Sequence, residues 1–248
     1  YAVLGNPVNH SKSPVIHSAF AKQCKQAITY TAIHVEPGNF AQTVASFFEQ
    51  GGKGLNVTVP FKQEAWALAE DLSADAQLAG AVNTLWMNNH GAKLEQKKIL
   101  VLGAGGAARG IILPLLRERP AELYIVNRTL SKAEELAVLF AEYGNVQACG
   151  LDDINKRKDK HTDWLINATS ASLQGELPML PDGILNPGAS CYDLMYAKQE
   201  TVFCQWAKQA GAEKIMDGLG MLVEQAAEAF YLWRGVRPNT AAVIKSLR

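Results

Sequence analysis

Cysteine is sparse and unpatterned in this 248-residue chain: Cys24, Cys149, Cys191 and Cys204 form no C-x-x-C pair. That spacing fits reduced thiols in a cytoplasmic setting. The five histidines are scattered, none pairs with another at helical ligand spacing, and no metal site is expected. Charge of either sign is not in excess. Lys plus Arg and Asp plus Glu number 24 each, which argues against a nucleic-acid or acidic-membrane partner. No apolar run approaches a membrane span, no signal peptide is recognisable, and internal repeats and low-complexity segments are missing. The chain opens on Tyr1 rather than Met, from which a longer parent polypeptide is expected. What remains is 48% hydrophobic and 19% charged, the composition of a soluble globular protein with a large core and room for two domains.

The stretch Lys98–Gly110, KILVLGAGGAARG, organises the rest. Ile99–Leu102 has the unbroken apolar pattern of a strand covered on both faces, and Ala107–Leu116 reads as a helix. Between them, counted from Gly103, lies G-x-G-x-x-A, a dinucleotide-binding fingerprint. Gly103 permits the tight turn, Gly105 lets the backbone approach a pyrophosphate, and Ala108 lets helix and strand pack closely. The free N–H groups at the helix start then face phosphate. Glycine turns between strand and helix also arise for structural reasons alone, so the surroundings matter.

Glu122–Val126 is a second apolar strand at βαβ spacing. An acid at its end would meet a ribose 2′-hydroxyl, but the chain continues Asn127-Arg128-Thr129. A guanidinium between two neutral hydrogen-bonding side chains suits a 2′-phosphate, so the cofactor expected is NADP rather than NAD. Capping of the helix that begins near Ser131 is the plainer role for this tripeptide, although it does not require the arginine.

In chain order, Tyr1–Gly5 reads as a strand and Asn6–Ser13 as a loop. A helix capped by Ser13 then starts at Pro14 and runs to about Lys25. Thr29–Val35 alternates like a strand. Asn39–Gln50 is amphipathic with Phe40, Val44, Phe47 and Phe48 inward. Gly54–Val59 is a strand, a helix covers about Gln63–Glu70, a short one Ala74–Leu78, and Ala81–Met87 is a strand before the turn Asn88–Gly91. Further strands are expected at Trp164–Ala168 and Ser190–Leu194, and residues 218–248 are mostly helical. The fold class is therefore α/β. An N-terminal α/β domain (1–91, joined by 218–248) accompanies a Rossmann-type domain (92–217).

Polar residues gather where the first domain's strands end: Ser11 and Ser13, Thr58 and Lys62, and Asn83 inside the last strand. Ligands of open α/β sheets bind outside the carboxyl ends of the strands, and this set suits a small polyhydroxylated acid. Plainer roles exist for each. The serines serve turns and caps, and Thr58 is a good strand residue. Lys62 opposes the dipole of its helix yet is common as a surface residue. In a dry cleft, however, a lysine loses proton affinity and can exchange a proton near neutral pH.

Four segments in this order, Asn6–Pro14 (NPVNHSKSP), Gly54–Lys62 (GLNVTVPFK), Ala79–Thr84 (AGAVNT) and Asp217–Ala227 (DGLGMLVEQAA), resemble the shikimate dehydrogenase family along nearly the whole chain. The resemblance implies an N-terminal substrate domain, an NADP-binding Rossmann domain and a C-terminal helix returning to the first. It implies NADPH-dependent reduction of 3-dehydroshikimate to shikimate, with Lys62 catalytic. Ser11 and Ser13 would hold the substrate carboxylate, and Thr58, Asn83, Gln225 and Tyr196 the rest of the substrate. Gly103, Ala104, Gly105, Gly106 and Ala107 would cradle the pyrophosphate, with Asn127, Arg128 and Thr129 around the 2′-phosphate. Thr169, Ser170, Leu194, Gly218 and Met221 would lie near the nicotinamide. A monomer or homodimer in the cytoplasm is implied, acting on a small molecule.

One departure stands out. The family pairs its lysine with an aspartate in an N-T-D-G motif, and these 248 residues contain none. Only Ala92–Lys98 lead from Gly91 into the Rossmann strand, so a further segment carrying that aspartate is expected near Gly91–Leu94. Two rival readings follow: a quinate/shikimate dehydrogenase using NAD as well as NADP, and a non-catalytic NADP-binding sensor.

Overall fold

The structure, a computed structural model, describes residues 1–69, 73, 94–156, 161–177, 179–197 and 199–248. The helix expected over Ala74–Leu78, the strand over Ala81–Met87, the turn Asn88–Gly91 and the candidate residue Asn83 lie outside the described residues. The chain divides into two compact units, one of Tyr1–Trp86 with Gly220–Arg248 and one of Met87–Leu219.

In the first unit, strands β1 (Ala2–Gly5), β2 (Thr31–His34) and β3 (Leu55–Val57) form a parallel sheet in the order β2-β1-β3. The central strand β1 is buried on both faces, as a covered parallel sheet requires. Its side chains alternate accordingly. Ala2 and Leu4 join Val35, Phe40 and Phe61 in one cluster, and Val3 joins Val8 and Tyr30 in another. Three helices follow the strands: α1 (Ser13–Gln23), α2 (Phe40–Glu49) and α3 (Lys62–Leu68). On α2, Phe40 is buried and Val44 and Phe47 pack against the same cluster, but Phe48, expected inward, is 48% exposed. It stands about 100° round the helix from Phe47 and so falls off the buried stripe.

The second unit is built on β4 (Lys98–Leu102), β5 (Glu122–Asn127), β6 (Val146–Gly150), β7 (Thr162–Asn167), β8 (Leu185–Asp193) and β9 (Lys214–Met216). All pair in parallel, in the order β6-β5-β4-β7-β8-β9. This is the doubly wound order in which the chain reverses direction between β4 and β7, and ligands bind at that reversal. Helices α4 (Gly106–Arg117), α5 (Leu130–Phe140) and α6 (Val202–Gln209) belong to it. Leu100, Leu102, Leu165, Cys191 and Phe203 lie in one buried cluster. The chain ends with α7 (Leu219–Arg234) and α8 (Thr240–Leu247).

Candidate active site

The turn after β4 has the geometry its glycines promise. Gly103 takes φ +101°, a left-handed conformation that an L side chain rarely adopts, and its amide donates to Val126 O at 2.7 Å. A Cβ there would also press on Thr169 Cγ2 at 3.0 Å, so the turns after β4 and β7 are in contact. At Gly105 the reason differs: a Cβ would meet nothing within 4 Å. The space it would enter is open, as a backbone that receives a ligand requires. Gly105 precedes the first turn of α4 and no side chain caps that helix, which leaves its amides available to phosphate. Ala104 is buried, Gly106 and Ala107 are half-buried in the turn, and Ala108 is fully buried beneath it.

At the end of β5, Arg128 and Thr129 are exposed and Asn127 is half-buried. Thr129 occupies the cap position of α5, yet its hydroxyl makes no cap hydrogen bond. Its carbonyl accepts from Asn127 Nδ2 at 2.9 Å, so Asn127 braces the turn while the guanidinium and the hydroxyl stay outward. The plain capping role therefore does not account for Thr129. An anionic group carrying a 2′-phosphate and a pyrophosphate fits these two turns, which would hold NADP through Gly103–Ala107 and Arg128–Thr129.

Around the second half of this sheet, Thr169 and exposed Ser170 follow β7, and Leu194 follows β8. Gly218 donates to Met195 O at 2.9 Å, and a Cβ on it would overlap the Leu194 carbonyl, so only glycine fits there. Tyr196 is half-buried in the same loop as Leu194. Met221 lies on α7 and belongs to the first unit.

In the first unit, the carboxyl ends of β1 and β3 lead into the candidate substrate residues. Thr58 N donates to Leu4 O at 2.9 Å, which locks the residue after β3 to the end of β1. Ser13, expected as a helix cap, is instead the first residue of α1; Lys12 precedes it and no side chain caps the helix. Ile16 N donates to Lys12 O at 3.0 Å, so the first turn closes on Lys12 and Pro14 falls one position further in, where its missing N–H still needs no acceptor. The Ser11 hydroxyl accepts from Ser13 N at 3.3 Å, placing the two serines side by side. Tyr30 ties this corner together: its hydroxyl donates to Asn56 Oδ1 at 2.6 Å and is influenced by the Ser13 hydroxyl. Gln225, on α7, has a buried Nε2 that meets no partner among the described residues. A buried amide N–H without an acceptor is costly, and a ligand oxygen would satisfy it.

Lys62 is the first residue of α3, where the dipole disfavours a cation. By surface it is only half-buried, but protein crowds its ammonium closely enough that burial lowers its pKa to about 8. Among the described residues, the lysine that sequence pattern singles out is thus the one whose proton burial loosens. Sequence reasoning missed Asn167 and Asp193, both fully buried at the ends of β7 and β8. Asn-Ala-Thr-Ser and Tyr-Asp-Leu read as ordinary strand ends, and the only available signal was an acid and an amide closing two apolar runs.

Three family models match segments of the chain. One described as "Shikimate dehydrogenase substrate binding domain" matches residues 3–85, "Shikimate / quinate 5-dehydrogenase" matches 85–174, and "Shikimate 5'-dehydrogenase C-terminal domain" matches 218–248. A shikimate dehydrogenase (NADP(+)) of Cellvibrio japonicus is 54% identical, covering 100% of this chain and 96% of the relative. The chain belongs to the shikimate dehydrogenase family. A second relative of the same name, from Alkalilimnicola ehrlichii, is 50% identical, covering 100% of this chain and 98% of its own length. Both alignments run over 268 positions against the 248 residues here, so each relative has residues without a counterpart in this chain. Among solved structures, shikimate 5-dehydrogenase from Thermus thermophilus in complex with NADP(H) and shikimate superposes with a TM-score of 0.84. It is 31% identical, over 100% of this chain and 97% of that one. The Ael1 enzyme of Pseudomonas putida gives a TM-score of 0.87 at 41% identity, over 100% and 97%. The doubly wound α/β fold expected from the Gly103 turn is the fold of these relatives.

Proposed function

We propose that the chain catalyses the reversible NADPH-dependent reduction of 3-dehydroshikimate to shikimate, in the pathway to chorismate and the aromatic amino acids. When bound, NADPH supplies a hydride to the 3-keto carbon. The Lys62 ammonium stabilises the oxygen as negative charge develops there and gives it a proton, which the neutral amine takes back in the oxidation direction. Ser11 and Ser13 hold the carboxylate. Thr58, Asn83, Tyr196 and Gln225 hold the hydroxyls and the rest of the ring. Residues 1–91 with 218–248 form the substrate domain and 92–217 the cofactor domain of a cytoplasmic enzyme, monomeric or homodimeric.

The observation that carries the chemistry is Lys62, whose burial-lowered pKa of about 8 suits proton exchange near neutral pH. An assay of NADPH consumption with 3-dehydroshikimate tests it directly. The sensor reading draws support from one fact, the missing N-T-D-G aspartate. Tight NADPH binding without turnover would favour the sensor over the enzyme.

A further inference from the structure

The ends of β7 and β8 carry a polar couple that the proposed chemistry does not use. Asn167 and Asp193 are register partners in adjacent parallel strands, and both are fully buried. Every hydrogen-bonding position of the Asn167 amide is taken. Nδ2 donates to Ser172 Oγ at 2.9 Å and to Asp193 Oδ1 at 3.0 Å. Oδ1 accepts from Thr169 N at 3.1 Å and from Thr169 Oγ1 at 2.7 Å. Turning the amide over would set N–H against N–H, so a single orientation survives. Asp193 Oδ1 also accepts from Met195 N at 3.0 Å, and Oδ2 accepts from Thr201 Oγ1 at 2.7 Å. Thr201 in turn caps α6 by accepting from Cys204 N at 3.2 Å.

These three donors to the carboxylate are all neutral. Burial raises its pKa, opposed by those same hydrogen bonds and by the nearby Ser172 hydroxyl. A buried polar network of this kind is costly when incomplete and rigid when complete, and this one is complete. It fixes the exits of two strands at once: Thr169 through Asn167, and Met195 through Asp193. The phosphate turn and Arg128 occupy the half of the sheet built on β4 and β5, which leaves the β7–β8 exits to the other mononucleotide half of a dinucleotide.

We propose that Asn167 and Asp193 are a positioning couple that holds the loops after β7 and β8 in the shape that receives the nicotinamide half of the cofactor. The proposal rests on the NADP reading above. In this role the couple acts through Thr169 and Met195, to which it is hydrogen-bonded.

The decisive variant is Asn167→Asp, which sets two carboxylates face to face and removes the donor between them. Calorimetric titration with NADP⁺ and with adenosine 2′,5′-bisphosphate, a fragment confined to the phosphate half, separates the two halves of the site. The expected result at neutral pH is at least a tenfold loss of NADP⁺ affinity with the fragment's affinity unchanged. Asn167→Asp with Asp193→Asn again opposes one carboxylate to one amide, but the new amide nitrogen would face the Met195 N–H, so only part of the loss should be recovered. Ser172→Ala, a smaller change that leaves one Asn167 N–H without its acceptor, should weaken NADP⁺ roughly three- to tenfold and spare the fragment, so the test does not depend on Asn167→Asp folding. Equal losses for NADP⁺ and fragment, or no loss for either, would overturn the couple, as would a double variant no better than Asn167→Asp. A wild-type chain that binds neither ligand would remove the NADP reading itself, an outcome distinct from any of these.

Discussion

The pH dependence of turnover tests the assignment of Lys62. With the pKa lowered to about 8 by burial, the ammonium is about nine-tenths protonated at pH 7 and about one-tenth at pH 9. Reduction of 3-dehydroshikimate needs the proton, so its kcat should hold steady below pH 8 and fall about tenfold per unit above it. Oxidation of shikimate needs the free amine and should fall about tenfold per unit below the same point. An ordinary lysine would place both breaks near 10.5. Lys62→Ala should lower kcat by roughly 10²–10⁴, the range for a positioned acid or base, with a smaller change in substrate affinity because Ser11, Ser13 and Thr58 remain. Folding is linked with its own sign. Between pH 8 and 10.5 the unfolded chain binds a proton at this position that the folded chain does not, so this residue's contribution to stability rises with pH across that window. The measurement is kcat in both directions from about pH 6 to 10.5, on wild type and Lys62→Ala. Breaks near 10.5, or an unaltered kcat with only KM raised, would reduce Lys62 to a binding residue.

Arg128→Ala should weaken NADP roughly ten- to a hundredfold, the worth of one charge-assisted hydrogen bond, while NAD affinity holds; equal losses for both cofactors would make the arginine structural. Ser11→Ala and Ser13→Ala should weaken shikimate and leave NADP binding alone, and they should discriminate less than wild type against an analogue lacking the carboxylate. Fully buried His17, stacked 4.1 Å from Tyr30, has its pKa lowered by burial to about 4, so stability should decline as pH falls from 6.5 to 4, by roughly 3 kcal/mol in all. Urea titrations of His17→Phe should lack that decline; an unchanged pH profile would show that another group causes it. Intact-protein mass spectrometry decides whether a further segment lies near Gly91–Leu94: a mass near 26.9 kDa rules it out.

Much of the cofactor half was legible because its causes are local. Gly103 must take a positive φ, Gly105 must be bare and Ala108 must be small, and each requirement shows as a residue type. The strands β4, β5, β7 and β8 were legible as apolar runs. Strands β6 and β9 and the helix α6 were not: β9 has three residues, and no periodicity can be read from so few. The capping role of Ser13 failed because the first turn closes on Lys12, one residue before the start that Ser13-Pro14 suggests, and Phe48 failed because the hydrophobic pattern did not reveal where the buried stripe ended.

The sequence by itself determined the α/β class, the glycine turn after β4 and NADP as the cofactor, and it singled out Lys62 as the candidate proton carrier, since each is written in neighbouring residues and their chemistry. Only the tertiary structure decided the strand order that brings the β4 and β7 exits together, the burial that lowers the pKa of Lys62, and the meeting of Asn167 with Asp193 across 26 residues of chain. The reason is physical: φ preferences and side-chain chemistry act within a few residues, whereas desolvation and long-range hydrogen bonds exist only once the strands have packed.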